Sequence, residues 1–421
     1  MNIFELKENI IGGNYDTSFL KLYGDVSLAK ERFLKACDQY LQIYDNTDDM
    51  YMFSAPGRTE VGGNHTDHEH GRVLTGSVNL DVIAIVCPNN DNVVRIKSEG
   101  YNMDVVDLSD LSIVAKEEGR AISLIRGVLN FFKESGYTIG GFNAYTTSNV
   151  LKGSGLSSSA AFEVLICNIL KGLFKNDVSA EEIAKISQKS ENQYFGKPCG
   201  LLDQMASSVG GFTAIDFKDP ENPVIEKVDF DLSKFNHSLC IVNTGGNHAD
   251  LTDDYAAITR DCKAVSQFFG KEFLRDVNED DFYAQIAVVR EKLGDRAVLR
   301  AIHIFDENKR ALNQKEALKN NDFDLFLKLI NESGNSSYKY LQNVYSVSSV
   351  NEQGISLGLA LSEKILNGKG ACRVHGGGFA GTVQCFVPNE ILDTFKHEIE
   401  KTFGKGSCYV LNIRSLGGYC F

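Results

Sequence analysis

Along the first 150 residues the spacing of apolar positions changes period more than once. In 27–45 (SLAKERFLKACDQYLQIYD) apolar residues return every three or four positions, which predicts an amphipathic helix. VIAIVC (82–87) and VVRIKS (93–98) are short apolar runs of strand length and predict strands. AISLIRGVLNFFKESG (121–136) goes back to helical spacing and closes on Gly136, a residue suited to a helix C-terminus, before an expected strand at 142–147. The run SSSAAFEVLICNILKGLF (157–174) predicts a serine-headed apolar helix, and a second helix follows over about 179–195.

From FTAIDF (212–217) the order changes. Strands are expected near 225–229 and 238–243, then a helical stretch over 250–366 rich in Lys, Glu, Leu and Ala. The tail offers CRVHGGG, TVQCFVP, a helix at 389–403 and the strand CYVLNI, a sheet with helices packed against it. A chain of 421 residues exceeds what one core usually organises, so two units are expected, 1–220 and 221–421, with the boundary lying between 205 and 235.

Composition narrows the class. With 43% hydrophobic and 24% charged residues the chain can bury a substantial core. A formal charge of −13 argues against nucleic acid or an anionic membrane as partner, because both recruit basic surfaces; phosphate would have to be met by a local site. No apolar run approaches the ~20 residues of a membrane span, and MNIFELKENI lacks the order of a secretory signal, so a cytoplasmic protein is expected. Ten cysteines without a C-x-x-C pair read as buried free thiols rather than a disulfide frame or zinc site.

Four segments carry candidate chemistry. APGRTEVGGNHTDHEHG (55–71) places Arg58, Glu60, Asn64, His65, Asp67, His68 and His70 among glycines, a density of hydrogen-bonding groups that suits a polyhydroxylated ligand; the plainer alternative is a solvated turn. Metal coordination by its histidines is disfavoured, because their spacing falls in a loop rather than on one helix face. VLKGSGLSSSAAFEV (150–164) runs a flexible loop into a helix N-terminus, where free N–H groups and the dipole attract phosphate; an ordinary serine cap is the alternative. In SENQYFGKPCGLLDQMASS (190–208), Glu191 lies in a helical pattern and Asp203 follows the break at Pro198 and Gly200, a candidate base or merely a helix cap.

The fourth segment, RVHGGGFAGTVQCF (373–386), mimics two motifs and fits neither. Gly376, Gly378 and Gly381 match G-x-G-x-x-G, but a strand-like run follows where a dinucleotide fold needs a helix. H-G-G-G with the G-x-S-x-G at 354–358 has the wrong order for an esterase, and QGISLGLALSEKIL is helical throughout. A Gly-rich turn between strands is the reading left. No Walker loop, H-R-D or D-F-G occurs, so any ATP site uses another architecture.

Together these segments resemble the galactokinase branch of the GHMP kinases, named for galactokinase, homoserine kinase, mevalonate kinase and phosphomevalonate kinase. APGRTEVGGNHTDHEHG is similar to the sugar signature, GLSSSA to the ATP loop, PCGLLDQ to the segment of the catalytic acid and HGGGFAG to the third motif, in matching order over nearly the whole chain. The resemblance implies an α+β two-domain GHMP-kinase fold with mixed sheets and the active site in the interdomain cleft. It implies a phosphoryl transfer from ATP, with Mg²⁺, to the anomeric hydroxyl of galactose. It assigns Asp203 and Arg58 to catalysis, and Asn64, His65, Asp67, Gly200, Asp203 and Tyr255 to the sugar. Gly153, Ser154, Gly155, Leu156, Ser157, Ser158 and Ser159 are assigned to ATP, and Ser159 with Glu191 to the metal. Physically, Arg58 would steady charge developing on O1 and hold Asp203 ionised.

The chain departs from the branch at Asn64, where Glu is usual and the sugar's C6 hydroxyl is expected, at His68, where Tyr is usual, and at Leu151, where proline is usual. Asn lacks the charge that would repel a C6 carboxylate, so galacturonate is the alternative substrate. A sugar sensor without turnover is a further alternative, weakened by the presence of GLSSSA, Arg58, Asp203 and Glu191.

Overall fold

The computed structural model describes residues 1–150, 155–246 and 251–421. The chain opens with α1 (Ile3–Gly12), α2 (Asp16–Tyr23) and α3 (Val26–Leu41). Helix α3 starts on an Asp25 cap and buries Ala29, Phe33, Ala36, Cys37 and Tyr40, the stripe that the helical spacing predicted.

There follow β1 (Tyr51–Gly62), β2 (Arg72–Pro88), β3 (Val93–Ser98), β4 (Met103–Asp107), α4 (Ala121–Glu134) and β5 (Phe142–Ser148). Next come α5 (Ser158–Leu173), α6 (Ala180–Ser190), α7 (Leu202–Val209), β6 (Phe212–Asp216) and β7 (Val224–Val228). Strand β2 shows why VIAIVC is apolar throughout. Ile83, Ile85 and Cys87 point into the core shared with α1–α3, while Val82, Ala84 and Val86 point into the core shared with α4 and α5. Alternate side chains face opposite sides, so a strand covered on both faces has no polar position.

The rest of the chain gives β8 (His237–Asn243), α8 (Thr252–Phe268), α9 (Glu279–Ala284), α10 (Ile286–Leu293), α11 (Asp295–Lys319) and α12 (Phe323–Ser336). It closes with α13 (Gly354–Leu366), β9 (Ala371–His375), β10 (Thr382–Pro388), α14 (Leu392–Phe403), β11 (Cys408–Leu411) and β12 (Tyr419–Cys420). The larger sheet runs β12-β1-β2-β5-β3-β4, with β6 on the far end of the long β2 and β7 on β6; among the described residues only β3 and β5 pair in parallel. The smaller sheet runs β11-β8-β10-β9 and is antiparallel, with α13 and α14 packed on one face through Ile355, Leu359, Phe395 and Ile399.

Strand pairing runs across the expected division. Position 220/221 falls inside the β6–β7 hairpin, whose two strands both belong to the larger sheet, and the smaller sheet begins only at His237. The final strand β12 returns to pair with β1. A hairpin keeps its strands together because each fills the other's backbone hydrogen bonds, which a composition shift does not reveal. Eight of the ten cysteines are buried as free thiols, Cys199 is half-buried and Cys420 exposed. Among the described residues no helix is long and apolar enough to cross a membrane.

Candidate active site

The site is built where β1, the start of α5 and the start of α7 meet. Strand β1 carries register irregularities between Pro56 and Arg58 and between Glu60 and Gly62, and such bulges re-aim the side chains beside them. A Cβ on Gly57 would stand 2.7 Å from the Leu156 carbonyl oxygen, so only glycine lets the serine loop lie this close to β1. The Arg58 N–H then donates to Leu156 O at 3.0 Å.

Arg58 Nε donates to Asp203 Oδ1 at 2.6 Å, and its Nη1 donates to the Gly155 carbonyl. Asp203 sits in the first turn of α7 with 30% of its side chain open, and its other oxygen, Oδ2, accepts from Ser157 Oγ. Burial alone would raise the Asp203 carboxyl, but the Arg58 charge and the hydrogen bonds from Arg58 and Ser157 outweigh it and hold the group below the usual range. Sequence left open whether Asp203 and the serines were simple helix caps. Ser157 precedes α5 in a left-handed conformation (φ 56°, ψ 67°) and makes no side-chain cap bond, its hydroxyl being turned to Asp203 instead. A non-glycine residue held there signals a constraint imposed by its surroundings.

The second acid is set by a π-helical turn, Glu191–Phe195, that continues α6; such turns are rare and concentrate at functional sites. Glu191 is 2% exposed and accepts from Ser159 Oγ at 3.0 Å, from Lys197 Nζ at 3.1 Å and from Gln204 Nε2 at 2.7 Å. Gln204 also reaches Glu163 Oε2 at 3.4 Å, and burial followed by the charge of Glu191 pushes the Glu163 carboxyl well up. Ser159 and Glu191 are hard oxygen donors side by side, which suits Mg²⁺ sharing its remaining positions with phosphate and water. Lys197, Gln204 and Glu163 were missed as site residues; the i, i+4 spacing of Ser159 and Glu163 on α5 was the signal available for one of them.

The loop at 63–71 is fixed from beneath. Glu307 on α11 accepts from the Gly63 and Asn64 N–H groups at 3.1 and 3.4 Å, and His303 bonds Asn64 O at 3.1 Å. His65 Nε2 donates to Gly377 O at 2.9 Å, and burial, then His68, lowers its imidazole to about 4. Tyr255 donates to Gly378 O at 2.8 Å. Gly200 allows the approach of Asp67, whose Oδ2 would be 2.8 Å from a Cβ there. The sugar segment, the acid segment and the third glycine-rich segment thus converge.

Asn64 is held by hydrogen bonds on every side. It is 0% exposed, its amide donates to Glu60 Oε1 and Gly376 O at 2.9 and 2.7 Å, and its carbonyl oxygen accepts from Asn343 and Ser337 at 2.9 and 3.3 Å. A side-chain amide has no further strong hydrogen bond to give once two donors and two lone pairs are engaged, so the Asn64 side chain is fully occupied in tying the loop to its neighbours. Leu156 is buried in the core, leaving only its backbone to face a nucleotide, while Gly155 is exposed and Ser158 opens α5. Gly153 and Ser154, expected at the nucleotide, and the departure at Leu151 lie outside the described residues.

Residues 38–88 match the galactokinase galactose-binding signature, and residues 123–211 match the GHMP kinases N terminal domain. The chain is 30% identical over 371 residues to a galactokinase of Glaesserella parasuis serovar 5 (strain SH0165), covering 87% of this chain and 92% of that one. Its fold is similar to Lactococcus lactis galactokinase complexed with galactose, with a TM-score of 0.77 at 22% identity over 91% of this chain and 98% of the other. It is also similar to Methanococcus jannaschii mevalonate kinase, with a TM-score of 0.60 at 14% identity over 87% and 99% of the two chains.

Proposed function

From the premise that this chain belongs to the galactokinase family of the GHMP kinases, we propose that it transfers the γ-phosphoryl group of ATP to the anomeric hydroxyl of galactose, giving galactose 1-phosphate. The observation that carries the mechanism is the meeting of Arg58, Ser157 and Asp203, which lie 99 and 46 positions apart in sequence, at the start of α5.

The roles follow from charge. Asp203, ionised by its neighbours, accepts or orients the proton of the sugar O1 as that oxygen attacks; a positioned base contributes about 10²–10⁴ in rate. Its depressed basicity suits a loose phosphoryl-transfer transition state, which asks little of a base. Arg58, anchored to Gly155 and Asp203, presents its guanidinium to the charge forming between O1 and the phosphoryl group. The start of α5, with no side-chain cap, offers N–H groups and the positive end of its dipole to phosphate. Ser159 and Glu191 would hold Mg²⁺, which neutralises phosphate charge when bound. His65, Asp67, Gly200 and Tyr255 are the proposed sugar-side residues, and Gly153, Ser154, Gly155, Leu156, Ser157, Ser158 and Ser159 the nucleotide-side ones. The same reading makes the protein a cytoplasmic enzyme of small molecules.

Galacturonate is the alternative substrate, since Asn64 lacks the charge that would repel a C6 carboxylate; its amide, engaged by Glu60 and Gly376, has no free N–H to offer that carboxylate, which favours galactose. A coupled ATP-consumption assay over galactose, galacturonate, galactosamine and glucose tests the reading, with phosphorus NMR of the product. Galactose should be the fastest substrate and yield the 1-phosphate; no turnover of galactose would overturn the proposal.

A further inference from the structure

His375 ends β9 in the smaller sheet, and its imidazole is 2% exposed behind the catalytic pair. Its Nε2 lies 3.0 Å from Thr59 Oγ1 on β1, and its Nδ1 lies 2.9 Å from Thr382 Oγ1 on β10. The ring also forms a floor under Gly155, where a Cβ would stand 3.1 Å from Nδ1 and 3.3 Å from Cε1. Gly155 gives its carbonyl to Arg58 Nη1, and Thr59 is the next residue after Arg58. One ring therefore touches two groups that bear on Arg58: its chain neighbour and the carbonyl-bearing residue that accepts from its Nη1.

The network also assigns the tautomer. Gln384 Nε2 donates to Thr59 Oγ1 at 2.6 Å, so the single proton of that fully buried hydroxyl is directed to His375 Nε2. Nε2 is then the acceptor, and the ring proton sits on Nδ1 and is donated to Thr382. Burial, then the charges of Arg58 and Arg373, hold the imidazole neutral, well below its ordinary range.

We propose that His375, as the Nδ1–H tautomer, is a positioning residue for Arg58: it holds Thr59 from the smaller sheet and supports Gly155, so that the guanidinium keeps its aim at Asp203. The ring makes no contact with reacting atoms in this role, and the proposal rests on the galactokinase reading. Its effect falls on the reaction step rather than on sugar binding, since misplacing a catalytic group by about 1 Å costs on the order of 10²-fold in rate.

The experiment is a double-mutant cycle on the full chain, comparing wild type, His375→Ala, Arg58→Lys and the double variant with galactose and ATP. His375→Ala should lower kcat about 10–100-fold with the KM for galactose within about threefold. In the Arg58→Lys background the same change should cost at most about threefold, because the group it positions is already altered. His375→Gln, whose amide can still reach Thr59, should recover part of the loss. A full, multiplicative loss in the Arg58→Lys background overturns the proposal, as does a His375→Ala variant with kcat near wild type. If His375→Ala fails to fold, Thr59→Val enters the same cycle from the other end of the bond. A wild type inert on galactose would sink the galactokinase reading itself, whereas an active wild type with an additive cycle removes only the role of His375.

Discussion

The side-chain amide of Asn64 donates to the carboxylate of Glu60 at 2.9 Å, and Arg373 donates to the same Glu60 oxygen at 2.7 Å. Burial raises the Glu60 carboxyl, while Arg373 and then the Asn64 bond work to keep it charged. The pair is a structural unit: one residue supplies the anion, the other the amide, and neither can change charge alone without stranding a partner.

Asn64→Glu should therefore destabilise the protein by about 3–5 kcal/mol, because it sets a second buried carboxylate against Glu60 and the Gly376 carbonyl. Adding Glu60→Gln should return much of that loss by restoring one anion and one amide. Urea unfolding of the three variants checks this. Independent, additive effects would show that the two positions do not act together.

Asp203→Asn should lower kcat by about 10²–10⁴ while calorimetric binding of galactose and of ATP stays within a few-fold, since the amide keeps the shape of the site but cannot take a proton. A variant retaining more than a tenth of wild-type turnover would reduce Asp203 to an orienting role.

Glu191→Gln should raise the Mg²⁺ concentration needed for half-maximal rate by about 10–100-fold, with excess Mg²⁺ restoring part of the activity. A Mg²⁺ titration at saturating galactose and ATP reads this directly. An unchanged titration midpoint would remove Glu191 from the metal site.

Glu69, 3% exposed and accepting from Leu274 N at 3.0 Å, is pushed up to about 7 by burial from an ordinary 4.5. Between those values the folded chain holds the proton more tightly than the unfolded one, so stability falls as pH rises through the window and stays lower above it. Glu69→Gln should thus gain about 1–3 kcal/mol over wild type near pH 8 and almost nothing near pH 4.5. Thermal melts at the two pH values decide it; an equal change at both would mean that the carboxyl does not titrate in this window.

Local pieces of this fold can be read from residue pattern alone. The helical stripe of α3, the strand at 82–87 within β2 and the glycine-rich turn before β10 all follow from periodicity and from residues whose conformational demands are local. Arg58 and Asp203 were legible as candidates from their types and the glycines near them, whereas the pairing of Ser159 with Glu191 at a metal came only from the family resemblance. Tertiary structure decided which way each side chain turns. Asn64 lies in the sugar segment yet faces Glu60 and the third glycine loop, and Ser157 was open to a capping role yet bonds Asp203. His375 and Thr59, 316 positions apart, meet only because β9 of the smaller sheet packs behind β1 of the larger. Local pattern fixes which conformations a segment can adopt, but a hydrogen bond between distant segments depends on how two sheets dock. That docking is set by the whole buried surface at once and leaves no mark at any single position.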